Sequence, residues 1–294
     1  MQNSLNTPNL KSFISAFLLL ILIPCPQAAP LNSLLKAIED FHEEHRNLSL
    51  ITVSQRESLA RLYQKLGNYY AQSGESLHSI GALRKGRALL PSLPSVDLKI
   101  GIVYARLGRL EQARKFLLGF YQSSPESTQS FECKQKLFSV LVQMGERSAK
   151  ISLWDKAVRY FHEAMEFSSS ARHTLDLVDK IQSAYFKQGT FHYSQKHYLE
   201  AARNFLKALS KNTRESLRAK IERIAGHLFL NTGKHFEEIG RVDEARPYYE
   251  AVEKHFQSKK VVTYAKKRLQ SLEESLSADA ANVPEWLGAD LPME

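Results

Sequence analysis

Five glycines recur through the 294-residue chain at a nearly fixed interval: Gly67, Gly101, Gly145, Gly189 and Gly233, spaced 34, 44, 44 and 44 residues apart. Twelve residues after each glycine comes a small residue: Ser79, Ala113, Ala157, Ala201 and Ala245. Sixteen residues after it comes a large apolar one: Leu83, Leu117, Phe161, Phe205 and Tyr249. Four before it stand Tyr63, Asp97, Leu141, Tyr185 and Phe229. Agreement over five units marks an internal repeat, each unit of which buries its apolar face only against its neighbours. In residues 97–125, Ile100, Gly101, Tyr104 and Leu107 share one face of a helix and Gly108 makes a turn. Leu110, Ala113, Leu117 and Phe120 then share a face of a second helix, which Pro125 ends. A glycine inside a helix costs about 1 kcal/mol relative to alanine. Gly101, Gly145 and Gly189 are therefore expected where a second helix packs too close for a side chain.

The last three units each carry ten extra residues before their first helix: 128–137, 172–181 and 216–225. Phe131, Leu137, Leu175, Val178, Ile181, Leu217, Ile221 and Ile224 fall there at helical spacing. Ten residues make just under three turns, so the inserts read as lengthened first helices rather than loops.

The unit resembles a tetratricopeptide repeat (TPR), with Gly101, Tyr104, Ala113 and Pro125 at the family's small, aromatic, alanine and proline positions. Asp97 stands where the family has an aromatic residue. The resemblance spans about residues 54–276. It implies an all-α chain, a right-handed TPR superhelix of about five helix pairs with a capping helix at either end. The expected division is a signal peptide at 1–30, a capping helix and linker at 31–53, repeats at 54–257, a capping helix at 258–276 and an acidic tail at 277–294. The resemblance also implies a groove lined by the first helices. Its exposed inner positions include Asn68, Ala71, Gln72, Leu98, Ile102, Arg106, Val142, Glu146, Ala149, Lys150, Ser183, Phe186, Tyr193, His227, Leu230, Lys234 and Glu237. The contacts expected for a bound partner are Asn68, Leu98, Ile102, Arg106, Val142, Phe186, Tyr193, Leu230 and Lys234. Some TPR domains clamp a C-terminal carboxylate with Lys and Asn; only Asn68 matches that set, so tail-clamping of that kind is not expected. Residues 248–272 resemble periplasmic TPR proteins of the outer-membrane-assembly and Tol–Pal-associated type.

Outside the repeats, Lys11 and the apolar run from Phe13 to Ile23 read as a secretory signal peptide, too short to span a bilayer. Lipidation of Cys25 and an uncleaved N-terminal anchor are the alternatives. Leu34, Leu35, Ile38 and Phe41 give residues 31–45 one apolar face that would cover the first repeat. Ser54 and Glu57 have the spacing of a capping box. In the last helix Val262, Ala265, Leu269 and Leu272 form a stripe, with Lys259, Lys260, Lys266, Lys267 and Arg268 on the wet side. Residues 31–270 hold 39 basic and 25 acidic residues, a charge of +14, whereas residues 271–294 hold six acids and no base. In that tail Trp286 is a candidate anchor for a partner or for the chain's own groove.

No active site emerges. Glycine-rich phosphate loops, Cys-x-x-Cys pairs and nucleophile elbows are missing, the ten histidines are scattered, and Cys133 has no neighbouring base in sequence. Neither cofactor nor metal is expected. Trp154, Tyr198 and Val242, at the starts of second helices, read as core. Eight basic residues between Arg84 and Lys115, against Asp97 and Glu111, allow docking on an acidic partner or an anionic membrane surface. No nucleic-acid module is recognisable. Two functions remain: a non-enzymatic protein-binding scaffold of the bacterial cell envelope, exported to the periplasm, or an intracellular TPR adaptor or secretion chaperone.

Overall fold

The computed structural model describes residues 28–45, 51–91, 94–209 and 214–281. The signal segment up to residue 27 with Cys25, and Trp286 with the end of the tail, lie outside them. Among the described residues the regular structure is entirely helical. In chain order the helices are α1 (Ala28–Glu44), α2 (Val53–Gln72), α3 (Ser76–Leu89), α4 (Pro94–Arg106), α5 (Leu110–Ser123), α6 (Ser130–Lys150), α7 (Trp154–Glu166), α8 (Ala171–Ser194), α9 (Tyr198–Ala208), α10 (Glu215–Glu238), α11 (Val242–His255) and α12 (Lys259–Ala281). The inserts are helical: α6, α8 and α10 have 21, 24 and 24 residues, against 13 in α4. The chain divides into two compact units between Leu137 and Phe138, within α6.

In the first unit, α1 lies on the first helix pair as its apolar face requires. Ile38 is buried with Leu59, Tyr63 and Leu66, and Leu31, Leu34 and Phe41 pack around them. Leu35 is 37% exposed and takes no part. A hydrogen bond of 3.1 Å joins His42 Nε2 to the Tyr63 hydroxyl. The capping box sits two residues before the expected one. Thr52 is extended, its Oγ1 accepts from the Gln55 N–H, and Gln55 Oε1 accepts from the Thr52 N–H at 2.8 Å. Buried Ile51 fixes the chain just before Thr52, so Ser54 is already inside the helix. Asp97, in place of the family's aromatic, pairs with Arg87 at 2.7 Å. Burial pushes its carboxyl above the ordinary range, and the Arg87 guanidinium opposes this.

The repeat glycines are contact points in both units. A Cβ on Gly67 would meet Leu83 at 2.6 Å, and one on Gly101 would meet Leu117 at 2.7 Å. In the second unit the equivalent distances are 2.4 Å from Gly145 to Phe161, 2.8 Å from Gly189 to Phe205 and 2.7 Å from Gly233 to Tyr249. The large residue sixteen positions on thus fills the space that a side chain at each glycine would occupy. Ser79 keeps the small-residue position because its buried hydroxyl donates to the Gly67 carbonyl at 2.7 Å.

A second periodic constraint lies in the turns. Gly74, Gly108 and Gly240, seven residues after their repeat glycines, have φ of 82°, 68° and 74°. The same position is Ser152 at φ 60° and Lys196 at φ 62° in the third and fourth repeats. A left-handed non-glycine residue costs about 1–2 kcal/mol, partly offset by glycine's greater unfolded-state entropy. Ser152→Gly and Lys196→Gly should therefore each stabilise the protein by about 0.5–1 kcal/mol, read as a higher urea midpoint at unchanged slope. A lowered midpoint in both would show that these turns are not strained.

In the second unit Phe205, Ile221, Phe229, Tyr249, Val252, Phe256, Ala265 and Leu272 form one core, which α12 closes with Ala265 and Leu272. The helix continues to Ala281, past the expected end at residue 276. Lys259, Lys260, Lys266 and Lys267 are exposed as expected, with Lys266 3.5 Å from Glu253 at the surface, but Arg268 is half-buried and forms an ion pair with Glu237, whose side chain is only 9% exposed. Other apolar residues come to the surface: Tyr198 is 44% exposed, Leu175 53% and Phe131 63%.

Candidate protein-binding grooves

Grooves run along the first helices of the repeats. In the first unit, Asn68, Ala71 and Gln72 of α2, Lys99, Ile102 and Arg106 of α4, and Glu132 and Lys136 of α6 enclose about 230 Å³. Arg106 Nη1 donates to the Ala71 carbonyl at 3.1 Å, which ties one wall to the other. Burial pulls the Lys99 ammonium below its ordinary range, and Glu132 offsets this in part.

The second unit holds a larger groove of about 530 Å³ between α6 and α8. Gln143, Glu146, Arg147, Ala149 and Lys150 line one side, Asp176, Asp179, Lys180, Ser183 and Lys187 the other, and Arg214 completes the lining. Lys180 Nζ donates to Glu146 at 2.8 Å and lies 3.5 Å from Asp176. Its pKa is raised, by the Glu146 hydrogen bond first of all, with burial opposing. Asp179 pairs with Arg214. Five bases and three acids therefore stand in one channel, partly neutralising one another. A third groove of about 340 Å³ holds Glu222, Arg223, His227, Leu230 and Val261.

Asn68, Ile102 and Arg106 come together in the first groove, and Leu230 lies in the third. Leu98 is a correction: at 1% exposure it belongs to the core and no partner reaches it. The tetratricopeptide resemblance implied that it faces the groove with Ile102, but α4 turns it inward. Val142 is half-buried. Phe186 packs its ring 6.0 Å from Phe205, and Lys234 pairs with Glu238 at 3.3 Å. Tyr193 stands at a turn with Tyr198, ring centroids 5.9 Å apart. The second groove is charged. Asp176, Asp179 and Lys180 lie in the ten-residue insert, as do Glu132 and Lys136 of the first groove. The signal for them was the i,i+4 pair Asp176 and Lys180.

Elsewhere the side chains engage one another. In the basic run, Arg84 donates to the Tyr104 hydroxyl at 2.8 Å, Arg87 pairs with Asp97, and Lys85 lies over the Tyr63 ring at 5.5 Å. Cys133 is fully buried and its thiol donates to the Leu117 carbonyl at 3.2 Å. Burial, followed by the charge of Glu132, pushes its pKa up to about 12, so almost none is thiolate at neutral pH. Among the described residues no group of three or more His, Cys, Asp or Glu side chains is placed to hold a metal, and no helix is long and apolar enough to cross a membrane.

No curated protein matches the chain. Solved structures similar to it include MamA, at 19% identity over 66% of this chain and 90% of that one, with a TM-score of 0.28. BtubC from P. vanneervenii is 16% identical over 92% of this chain and 96% of that one, with a TM-score of 0.29. The TPR domain of P58(IPK) is 15% identical over 92% and 71%, with a TM-score of 0.29. Residues 95–127 match the model of the tetratricopeptide repeat family, and the helix pair they contain is one of five of the same kind between Val53 and His255.

Proposed function

We propose that the chain is a non-enzymatic scaffold that binds an extended segment of another protein in the groove between α6 and α8. The observation behind this reading is the groove's lining. Five basic and three acidic side chains face open space between two first helices, over an apolar floor of Ala149, Phe161 and Ala184. Such a channel suits a backbone whose side chains alternate in charge, with Lys180 and Arg214 free to exchange internal partners for external ones. The site of action we propose is the bacterial cell envelope, after export. It is supported by the apolar run after Lys11 and by the likeness of residues 248–272 to periplasmic TPR proteins. A photo-crosslinker at Ser183, in the groove, should capture a partner in native cells, and one at Gly119, where a side chain meets open space, should not. The recovered chain should begin between Pro26 and Leu31. Equal capture at both positions, or capture at Ser183 unaffected by Lys180→Glu, would place the binding surface elsewhere.

A further inference from the structure

The second unit carries an apolar edge that none of the grooves uses. The turn between α6 and α7 exposes Ile151 by 69% and Leu153 by 49%. At the turn between α8 and α9, the end of α8 exposes Phe191 by 48% and Tyr193 by 41%, and the start of α9 exposes Tyr198 by 44% and Leu199 by 47%. The two turns adjoin, since the Trp154 ring lies 5.4 Å from that of Phe191. These six make up a large share of the fourteen exposed large apolar side chains among the described residues, and scattered single residues would need no explanation. Both turns also depart from the glycine rule of the other three repeats, with Ser152 between Ile151 and Leu153, and Lys196 presented at a left-handed position.

Charge identifies the occupant. Within residues 150–156 and 187–200 stand Lys150, Lys156, Lys187 and Lys196 against Asp155 and Glu200, with His192 and His197 beside them. Asp155 already accepts a hydrogen bond from Gln188 at 3.1 Å. A second copy meeting this face about a two-fold axis would set lysines against lysines. An anionic surface meets no such repulsion. Ile151 and Leu153 stand in a short turn and the other four on the helix ends beside one, and none of the six lines the three grooves described above. Aliphatic tips flanked by tyrosine, histidine and lysine match what settles at the headgroup level of a bilayer, where rings straddle the boundary and ammonium groups meet phosphate. We propose that this turn edge is a peripheral docking surface for an anionic phospholipid membrane. It is separate from the basic run at Arg84–Lys115 and does not rest on the groove-binding reading, although Lys150 and Lys187 also line the groove between α6 and α8.

Flotation of residues 28–294 with phosphatidylcholine vesicles, with and without phosphatidylglycerol, tests it. Binding is expected on the phosphatidylglycerol vesicles and should weaken with added salt. The triple variant Ile151→Ser, Leu153→Ser, Phe191→Ser should lose roughly tenfold or more in binding, and so should Lys150→Glu with Lys196→Glu. Because the triple variant touches Trp154, its fold is checked by circular dichroism, and Leu199→Ser, away from that contact, serves as a second apolar variant. In a Trp286→Phe background Trp154 is the only tryptophan, and brominated lipid should quench it. Failure of the parent chain to float with anionic vesicles overturns the proposal. So does binding that persists unchanged in both apolar variants, which would leave charge as the sole cause. Self-association removed by the same variants, without vesicle binding, would make a second copy the occupant.

Discussion

Gly145→Leu should unfold the second unit at markedly lower denaturant than the parent, by about 3 kcal/mol or more. Even a single Cβ at this site would lie 2.4 Å from the Phe161 ring, whose residue is 2% exposed and has nowhere to go. Gly145→Ala is the graded case. Relief of glycine's helix penalty favours it by about 1 kcal/mol, whereas forcing the ring aside costs about 1–3 kcal/mol, so a net loss is expected. Gly119→Ala is the control, because its Cβ would meet nothing within 4 Å. There only the helix term operates, and a gain of about 0.5–1 kcal/mol is expected. Combining Gly145→Leu with Phe161→Ala exchanges the large and small partners of one contact. The pair should therefore lose clearly less than the sum of the two single changes, with about 1 kcal/mol or more of coupling. Additive losses, or a melting curve for Gly145→Leu that matches the parent's, would mean that the two positions do not share a contact.

That contact was legible because one glycine is too small to explain by propensity, and five at matching register are harder still. The sequence could place Gly67 to Gly233 against something, and the structure supplies the opposing residue, sixteen positions on, in every repeat. Helical spacing read less well where it had to say which faces a neighbour covers. Leu98 and Ile102 share a side of α4, yet one is core and the other lines a groove. Leu175 and Phe131 have the period of a buried stripe and are open to solvent. The capping box slipped by two residues because Thr52 with Gln55 and Ser54 with Glu57 carry the same pattern, and only the burial of Ile51 chooses between them. The largest omission concerns the ten-residue inserts. They read as lengthened first helices, but they also hold Asp176, Asp179 and Lys180 of the main groove and the buried Arg218 and Glu222 near the C-terminal core. Each set contains an i,i+4 pair of opposite charges, a pattern normally read as a solvated face. The longer helices carry that pattern inward.

Glu222 is where this has the greatest consequence. It stands on α10, is 7% exposed, and faces the bend between α11 and α12. Its Oε1 accepts the Gln257 N–H and its Oε2 the Ser258 N–H, both at 3.0 Å. Those donors precede the first turn of α12, where backbone N–H groups lack helical partners. Arg218, itself 9% exposed, donates to Glu222 and to the His255 carbonyl, each at 3.4 Å. Removing the carboxylate leaves the part-buried Gln257 and Ser258 N–H groups and the buried Arg218 guanidinium without it, and breaking a buried pair from one side costs about 3–5 kcal/mol. Glu222→Ala should therefore release α12, read as faster amide exchange across residues 259–281 than across α2 to α5, because neighbours in a repeat array are coupled mainly pairwise. Glu222→Gln, which keeps one acceptor oxygen and loses the charge, should fall between the parent and the alanine variant. Glu237→Ala is the comparison. It also severs a link from α10 to α12, but its partner Arg268 retains 37% exposure and can be rehydrated, so the loss should be smaller, at most about 1 kcal/mol. If exchange in α12 responds equally to the two alanine variants, the anchor is the general charge of α10 and not the capped bend. If it responds to neither, α12 is held by Ala265 and Leu272 alone.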